Sequence, residues 1–89
     1  MTSQLTTSRG NLAQNQYIIF ENDCTMFKSY SSIIVKTCFE EGVRKVYLDS
    51  YYYRYSKTTI RYRNSFLGEN TKEIESKIKE GTYILTNLN

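Results

Sequence analysis

The chain contains no histidine, no proline and no tryptophan. Without histidine, the commonest general base at neutral pH is missing, and with it the usual partner of a serine or cysteine nucleophile and the most frequent metal ligand. Two cysteines, Cys24 and Cys38, cannot complete a four-ligand zinc site unless carboxylates join them, and their spacing matches no zinc motif. The four glycines, at positions 10, 42, 68 and 81, are isolated from one another, so no glycine-rich phosphate loop is present. Glu40 and Glu41 are adjacent and read as solvated at a turn rather than as an acid/base pair. No catalytic, metal-binding or cofactor-binding residue is therefore expected, and the chain reads as a non-enzyme. No stretch approaches the roughly 18 consecutive apolar residues of a membrane span. The opening MTSQLTTSRGNLAQNQ has no apolar run to serve as a signal peptide, so a reducing cytosol is the expected compartment.

What is present is tyrosine and a local excess of positive charge. Eighty-nine residues make one small domain, and the apolar fraction is only 39 %. Nine tyrosines in a 15 % aromatic content supply large rings that can be buried while their hydroxyls stay wet. Folding is then expected without a cofactor. The net charge of +3 is too small to argue a polyanionic partner by itself, because steering depends on clustering. From Arg44 to Arg63, however, six cations (Arg44, Lys45, Arg54, Lys57, Arg61, Arg63) stand against Asp49 alone. Residues 69–80 nearly cancel, with four glutamates and three lysines. The lack of proline and tryptophan alongside abundant Asn, Lys, Ile and Tyr is also the bias of AT-rich coding sequence.

Along the chain, residues 1–15 are polar and without period and read as a flexible tail, leaving 16–89 as a single α+β domain. Tyr17 to Phe20 (YIIF), closed by Glu21-Asn22-Asp23, reads as a first strand. Thr25 to Thr37 reads as a long second strand, Phe27, Ile33 and Val35 on one face and Met26, Tyr30 and Ile34 on the other, bent or bulged at Ser29, Ser31 and Ser32. As one straight strand it would hold the two thiols about 45 Å apart at about 3.3 Å per residue, so a disulfide requires it to fold back. Small buried apolar roles are the simpler expectation for both cysteines. Glu40-Glu41-Gly42 predicts a turn and Val43 to Asp49 a third strand. Ser56 as N-cap, the apolar spacing of Ile60, Arg63, Phe66 and Leu67, and Gly68 as C-cap predict a helix over 57–67. Asn70 with Glu73, then Ile74, Ile78 and Gly81, predict a second helix, and Tyr83 to Leu88 a closing strand. The expected architecture is thus a small antiparallel meander of about three strands, two short helices and a C-terminal strand.

The densest functional feature is SYYYRYSKTTIRYR, residues 50 to 63. Rings interleaved with cations are what a single-stranded nucleic-acid site uses, stacking on bases and neutralising phosphates. Tyr and Arg are equally the residues enriched in protein-interface hot spots, and a small domain displaying Tyr30, Tyr47, Tyr52 and Tyr53 beside Arg54 could grip a protein partner as well. Tyrosines rimming a small core, with solvated cations around them, is the plainer alternative. In an extended chain Tyr51, Tyr53 and Tyr55 would share one face and Tyr52 and Arg54 the other, so one set belongs to the core. The partner-binding candidates are Tyr47, Tyr52, Tyr53, Arg54, Lys57, Arg61 and Arg63, with Arg63 placed to lay its stem on the core edge.

The runs MFKSYSSIIVK, KVYLDSYYYRYSKTTIRYRNSFLG and KEIESKIKEGTYILTNLN resemble small uncharacterised proteins encoded by bacteriophages. There an F-x-S-Y-x-S-x-I element precedes V-Y-L-D and a Y-S-x-T-T-x-x-Y-x-x-x-F-L helix. The resemblance covers about residues 26–89; this chain departs from it in having Tyr53 where tryptophan is frequent and a longer turn at Cys38 to Arg44. It implies a viral origin and stoichiometric action in the host cytoplasm. The expected role is then an accessory protein that binds and blocks a host or defence protein, such as a CRISPR nuclease, a restriction enzyme or RNA polymerase. The resemblance carries no functional residue over. A small basic nucleic-acid-binding protein and a structural or assembly subunit, including a homodimer paired through an edge strand, are the alternatives. No membrane partner is expected.

Overall fold

The computed structural model describes residues 2–6 and 10–89; of the expected tail, residues 1 and 7–9 lie outside the described part. The chain is α+β: a six-stranded mixed sheet in the order β1 to β6, with two helices between its last two strands. Strands β1 (Thr2–Thr6), β2 (Leu12–Glu21), β3 (Cys24–Ser29), β4 (Ser32–Glu40) and β5 (Val43–Asp49) form an antiparallel meander. Helices α1 (Lys57–Leu67) and α2 (Thr71–Glu80) then carry the chain across to β6 (Tyr83–Thr86), which pairs parallel to β5.

The sheet has six strands, five of them in the meander where about three were expected, and two local departures account for the difference. The described part of residues 1–15 is not a tail: Thr2–Thr6 pairs with β2, which itself begins at Leu12. A polar strand of this kind has no apolar alternation of its own; backbone pairing holds it, with Leu5 packed against the core and the Gln4 side chain donating to the Ala13 carbonyl. Tyr17 to Phe20, expected as an edge, is therefore interior. The second departure is the span Thr25 to Thr37, which is a hairpin. It reverses at Tyr30 and Ser31, and Cys24 sits opposite Cys38, with Cα atoms 4.1 Å apart and a disulfide between them. The small buried apolar role expected for both cysteines gives way to this bridge, because folding back brings the thiols together. A bulge opposite Phe27 and Lys28 inserts one extra residue in β4, so Ile34 and Val35 are both buried instead of pointing to opposite faces.

The remaining elements follow local chemistry closely. Glu41 and Gly42 both adopt positive φ, as a tight two-residue hairpin needs for its twist to match the strands. Ser56 caps α1 by accepting from the Thr59 N–H, and Gly68 ends it in the left-handed region. Asn70 and Glu73 form a reciprocal capping box at the start of α2. Both helices cover one face of the sheet. Phe66 of α1 stacks on Phe27 with ring centroids 6.0 Å apart, and Val35, Val46, Leu48, Ile74 and Tyr83 fill the space between the layers. Tyr83 donates to Glu69, which is also paired with Lys77, tying α2 to β6. Among the described residues no helix lies on the opposite face of the sheet.

Candidate functional site

Residues 50–56 form successive turns, not an extended segment, and Asp49 is the reason. Its carboxylate is buried at the end of β5 and accepts from the N–H groups of Tyr51 and Tyr52 at 3.1 and 2.8 Å. The other oxygen accepts from the Leu88 N–H at 2.8 Å and the Asn89 side chain at 3.0 Å. One carboxylate thus fastens the tyrosine turn and the segment after β6 to the same strand end. Burial pushes the acidity of Asp49 towards the neutral form, but these four hydrogen bonds outweigh it and hold the pKa below the usual value. Tyr53 closes the first turn by donating its N–H to the Asp49 carbonyl at 3.0 Å.

Arg63 holds the same turn from beneath. It is fully buried, and its guanidinium donates to the Tyr53 carbonyl at 2.8 Å, to Asn64 Oδ1 at 3.1 and 2.9 Å, and to Thr71 Oγ1 at 3.3 Å. The tyrosine turn, α1 and α2 are joined by one planar fork, a geometry lysine cannot reproduce. Burial lowers the Arg63 pKa, and the charge of Glu75 offsets that only in part.

The turn scaffold sorts the sequence candidates into three places. Tyr53 and Arg63 are interior, so in this conformation neither presents its side chain to a partner. Tyr47 lies on the far face of the sheet, its hydroxyl donating to Glu40 at 3.3 Å. Tyr52, Arg54, Lys57 and Arg61 remain at the surface of the turn and α1. Tyr51, Tyr53 and Tyr55 do not share a face: Tyr51 and Tyr55 are exposed and cluster with the half-buried Tyr52, at centroid separations of 4.7 to 6.2 Å. The Arg54 and Arg61 guanidinium carbons lie 5.4 and 5.0 Å from the rings of Tyr53 and Tyr62.

Beside this cluster runs a cleft of about 260 Å³ that joins two distant parts of the chain. Its walls are Tyr30, Tyr52 and Tyr55; Ser29, Ser32 and Thr59 place hydroxyls in its lining. Ser29 and Thr59 hydroxyls stand 3.5 Å apart, and Ser56 donates to Thr59 at 3.1 Å, so β3 meets the first turn of α1 through a chain of hydroxyls. Tyr30, 60 % exposed, has φ of +56°, a left-handed backbone that favours Gly or Asn. Its N–H donates to the Asn15 carbonyl at 2.7 Å, which fixes the turn in place. Tyr30 is among the rings that the sequence offers beside Arg54 for gripping a protein partner, and the structure leaves it exposed. Ser29, Ser31 and Ser32 around it signal a bend or bulge, and the full reversal that presents the ring comes from the structure.

Among the described residues no group of three or more His, Cys, Asp or Glu side chains is disposed to hold a metal ion. No helix among them is long and apolar enough to cross a membrane. The model of the Family of unknown function (DUF8033) matches residues 2–81, and the chain belongs to that family. No curated protein and no solved structure matches the chain.

Proposed function

We propose that this family member is a non-catalytic binding protein that engages a protein partner through the tyrosine cleft and the exposed cations beside it, acting by occupancy rather than turnover. The observation that carries this reading is pre-organisation. Tyr51, Tyr52 and Tyr55 stand together at the surface on a turn whose backbone is fixed by Asp49 from one side and Arg63 from the other. Aromatic and arginine side chains supply most of the energy of typical interfaces, and a surface already ordered loses little entropy when it binds. The resemblance to phage proteins supports a host or defence protein as the partner, met in the bacterial cytoplasm and blocked by being covered. Nucleic acid on the same stretch is less well supported, because Tyr53 and Arg63 are turned inward and the Arg54 and Arg61 guanidiniums lie near rings of their own chain.

The test is an affinity capture from bacterial lysate, with and without nuclease, read by mass spectrometry, using wild type and a Tyr52→Ala, Arg54→Glu double variant. One protein retained after nuclease by the wild type and lost by the variant is the expected result. Recovery that vanishes with the nucleic acid, or turnover of a nucleotide or nucleic acid by the pure protein, would remove this reading.

A further inference from the structure

The helix-free face of the sheet carries a second arrangement, distinct from the cleft. Strand register places Ile19, Met26, Lys36, Tyr47 and Ile84 in one row across β2 to β6, on the side opposite Phe27, Val35 and Leu48. Tyr17 stands directly across from Lys28 in the neighbouring row. Lys36 stands directly across from Tyr47. The centre of this face is thus built from two cross-strand couples, each a ring beside a cation, with Met26 and Ile19 as apolar floor between them. These side chains are half-buried and Ile84 is 42 % exposed. Among the described residues neither Lys28 nor Lys36 has a carboxylate within ion-pair distance. The acids of the face, Glu21 and Glu40, lie at its turn end, where Lys45 also sits, and Glu40 is engaged with the Tyr47 hydroxyl.

We propose that this open face is a binding surface for single-stranded nucleic acid, the Tyr17–Lys28 and Lys36–Tyr47 couples each receiving a base on the ring and a phosphate on the ammonium. Cross-strand neighbours lie about 5 Å apart, close enough for one nucleotide to meet both members of a couple. β2 and β5 are three strand spacings apart, about 14 Å, so the two couples contact separated nucleotides of one strand rather than a single base. An open sheet face suits an unpaired strand, whose bases are free to lie on rings, and not a duplex, whose bases are stacked on each other. An acidic protein segment would also meet the lysines. Rings placed opposite each central cation favour stacking bases as the occupant, since carboxylates gain nothing from the faces of Tyr17 and Tyr47.

The experiment is fluorescence anisotropy of a labelled oligothymidylate of about 20 nucleotides against the full chain, over a salt series starting near 50 mM. Two phosphate contacts predict a slope of log K against log salt near −1.4, at about 0.7 per contact for single strands. Lys28→Glu with Lys36→Glu should remove that slope and weaken binding more than tenfold. The milder Lys28→Gln, Lys36→Gln pair gives the same direction should charge reversal disturb folding, which circular dichroism reports. Tyr17→Leu and Tyr47→Leu should each lose about tenfold with the slope unchanged, while Tyr47→Phe, which keeps the ring, binds as wild type. Tyr52→Ala, at the cleft, and Lys57→Glu, at the start of α1, should leave oligonucleotide binding intact. The proposal is overturned by a wild type that does not bind at low salt, by Tyr47→Leu binding as wild type, or by Lys57→Glu weakening binding as much as the sheet variants do.

Discussion

Arg63 and Tyr53 meet in the interior, the guanidinium Nη1 donating to the Tyr53 carbonyl at 2.8 Å. The bond fixes the backbone of the tyrosine turn from below, and the same side chain reaches Asn64 and Thr71. Its hydrogen-bond acceptors are all neutral, so the fork is held by geometry, with the Glu75 carboxylate favouring the cation without a hydrogen bond to it. Arg63→Lys keeps the charge but loses the fork, and Arg63→Met leaves the carbonyl and amide acceptors buried and unpaired. Either change should destabilise the fold by about 3 kcal/mol, measured by urea denaturation. A loss below about 0.5 kcal/mol for Arg63→Met would show that the clamp is dispensable.

Adjacent residues should then behave oppositely. Tyr53→Ala empties a buried ring site and is expected to cost about 3 kcal/mol or more. Arg54→Ala removes an exposed side chain and should leave stability within about 0.5 kcal/mol while weakening partner binding. Comparable unfolding midpoints for the two variants would contradict this assignment of inside and outside.

Asp49 sets an acid limit on the fold. Its folded pKa lies below the unfolded value of about 3.9, so the native state binds the proton less readily than the unfolded chain. The associated stability is complete above that value and is lost as pH falls below about 4 and through the depressed folded pKa. Glu69, lowered by Lys77 and Tyr83 against the opposing effect of burial, adds in the same direction. Acid titration of the thermal midpoint should show this fall, and Asp49→Asn should flatten it from a lower starting stability. An unchanged acid profile in Asp49→Asn would assign the limit to other carboxylates.

Tyr30 holds a backbone conformation that disfavours its own side chain. Tyr30→Gly removes a left-handed penalty of about 1 kcal/mol and leaves the Asn15 hydrogen bond in place. The variant should be as stable as wild type or up to about 1 kcal/mol more so, yet bind its partner more than tenfold less tightly. Retained affinity would mean that the exposed ring serves no contact.

The Cys24–Cys38 bridge closes a loop of sequence separation 14 between paired strands. Chain entropy assigns a loop of that size about 3 kcal/mol, which for a domain of this length corresponds to a thermal shift of roughly 12 to 24 °C. Scans with and without reductant measure it directly. A shift under about 3 °C would show that the hairpin is held by its pairing alone.

Where the structure matches the sequence patterns, the signals are short-ranged. Val43–Asp49 and Lys57–Leu67 begin and end at the expected residues because Glu41-Gly42, Ser56 and Gly68 act on backbone groups within a turn of themselves. Arg63 was legible only in part: it falls on the helical face of Ile60, Phe66 and Leu67, yet its place among the partner-binding candidates gives way to full burial. The reversal at Tyr30–Ser31 was not legible, because no glycine or asparagine marks it and its left-handed residue is a tyrosine. Strand β1 was not legible either, because Leu5 is its one apolar residue and backbone pairing leaves no trace in side-chain pattern.

By itself, then, the amino-acid order determined the α+β class, the two capped helices, the last meander strand and the lack of histidine-based chemistry, all properties of composition or of neighbours a few residues apart. Only the tertiary structure decided which tyrosines are surface, that Tyr30 and Tyr55 wall one cleft, and that two lysines share a sheet face with two tyrosines. Those outcomes depend on strand register and on the bulge at Ile34, each of which reverses the facing of side chains along a strand. Register is settled by the whole sheet packing against both helices, and no local window of sequence contains that information.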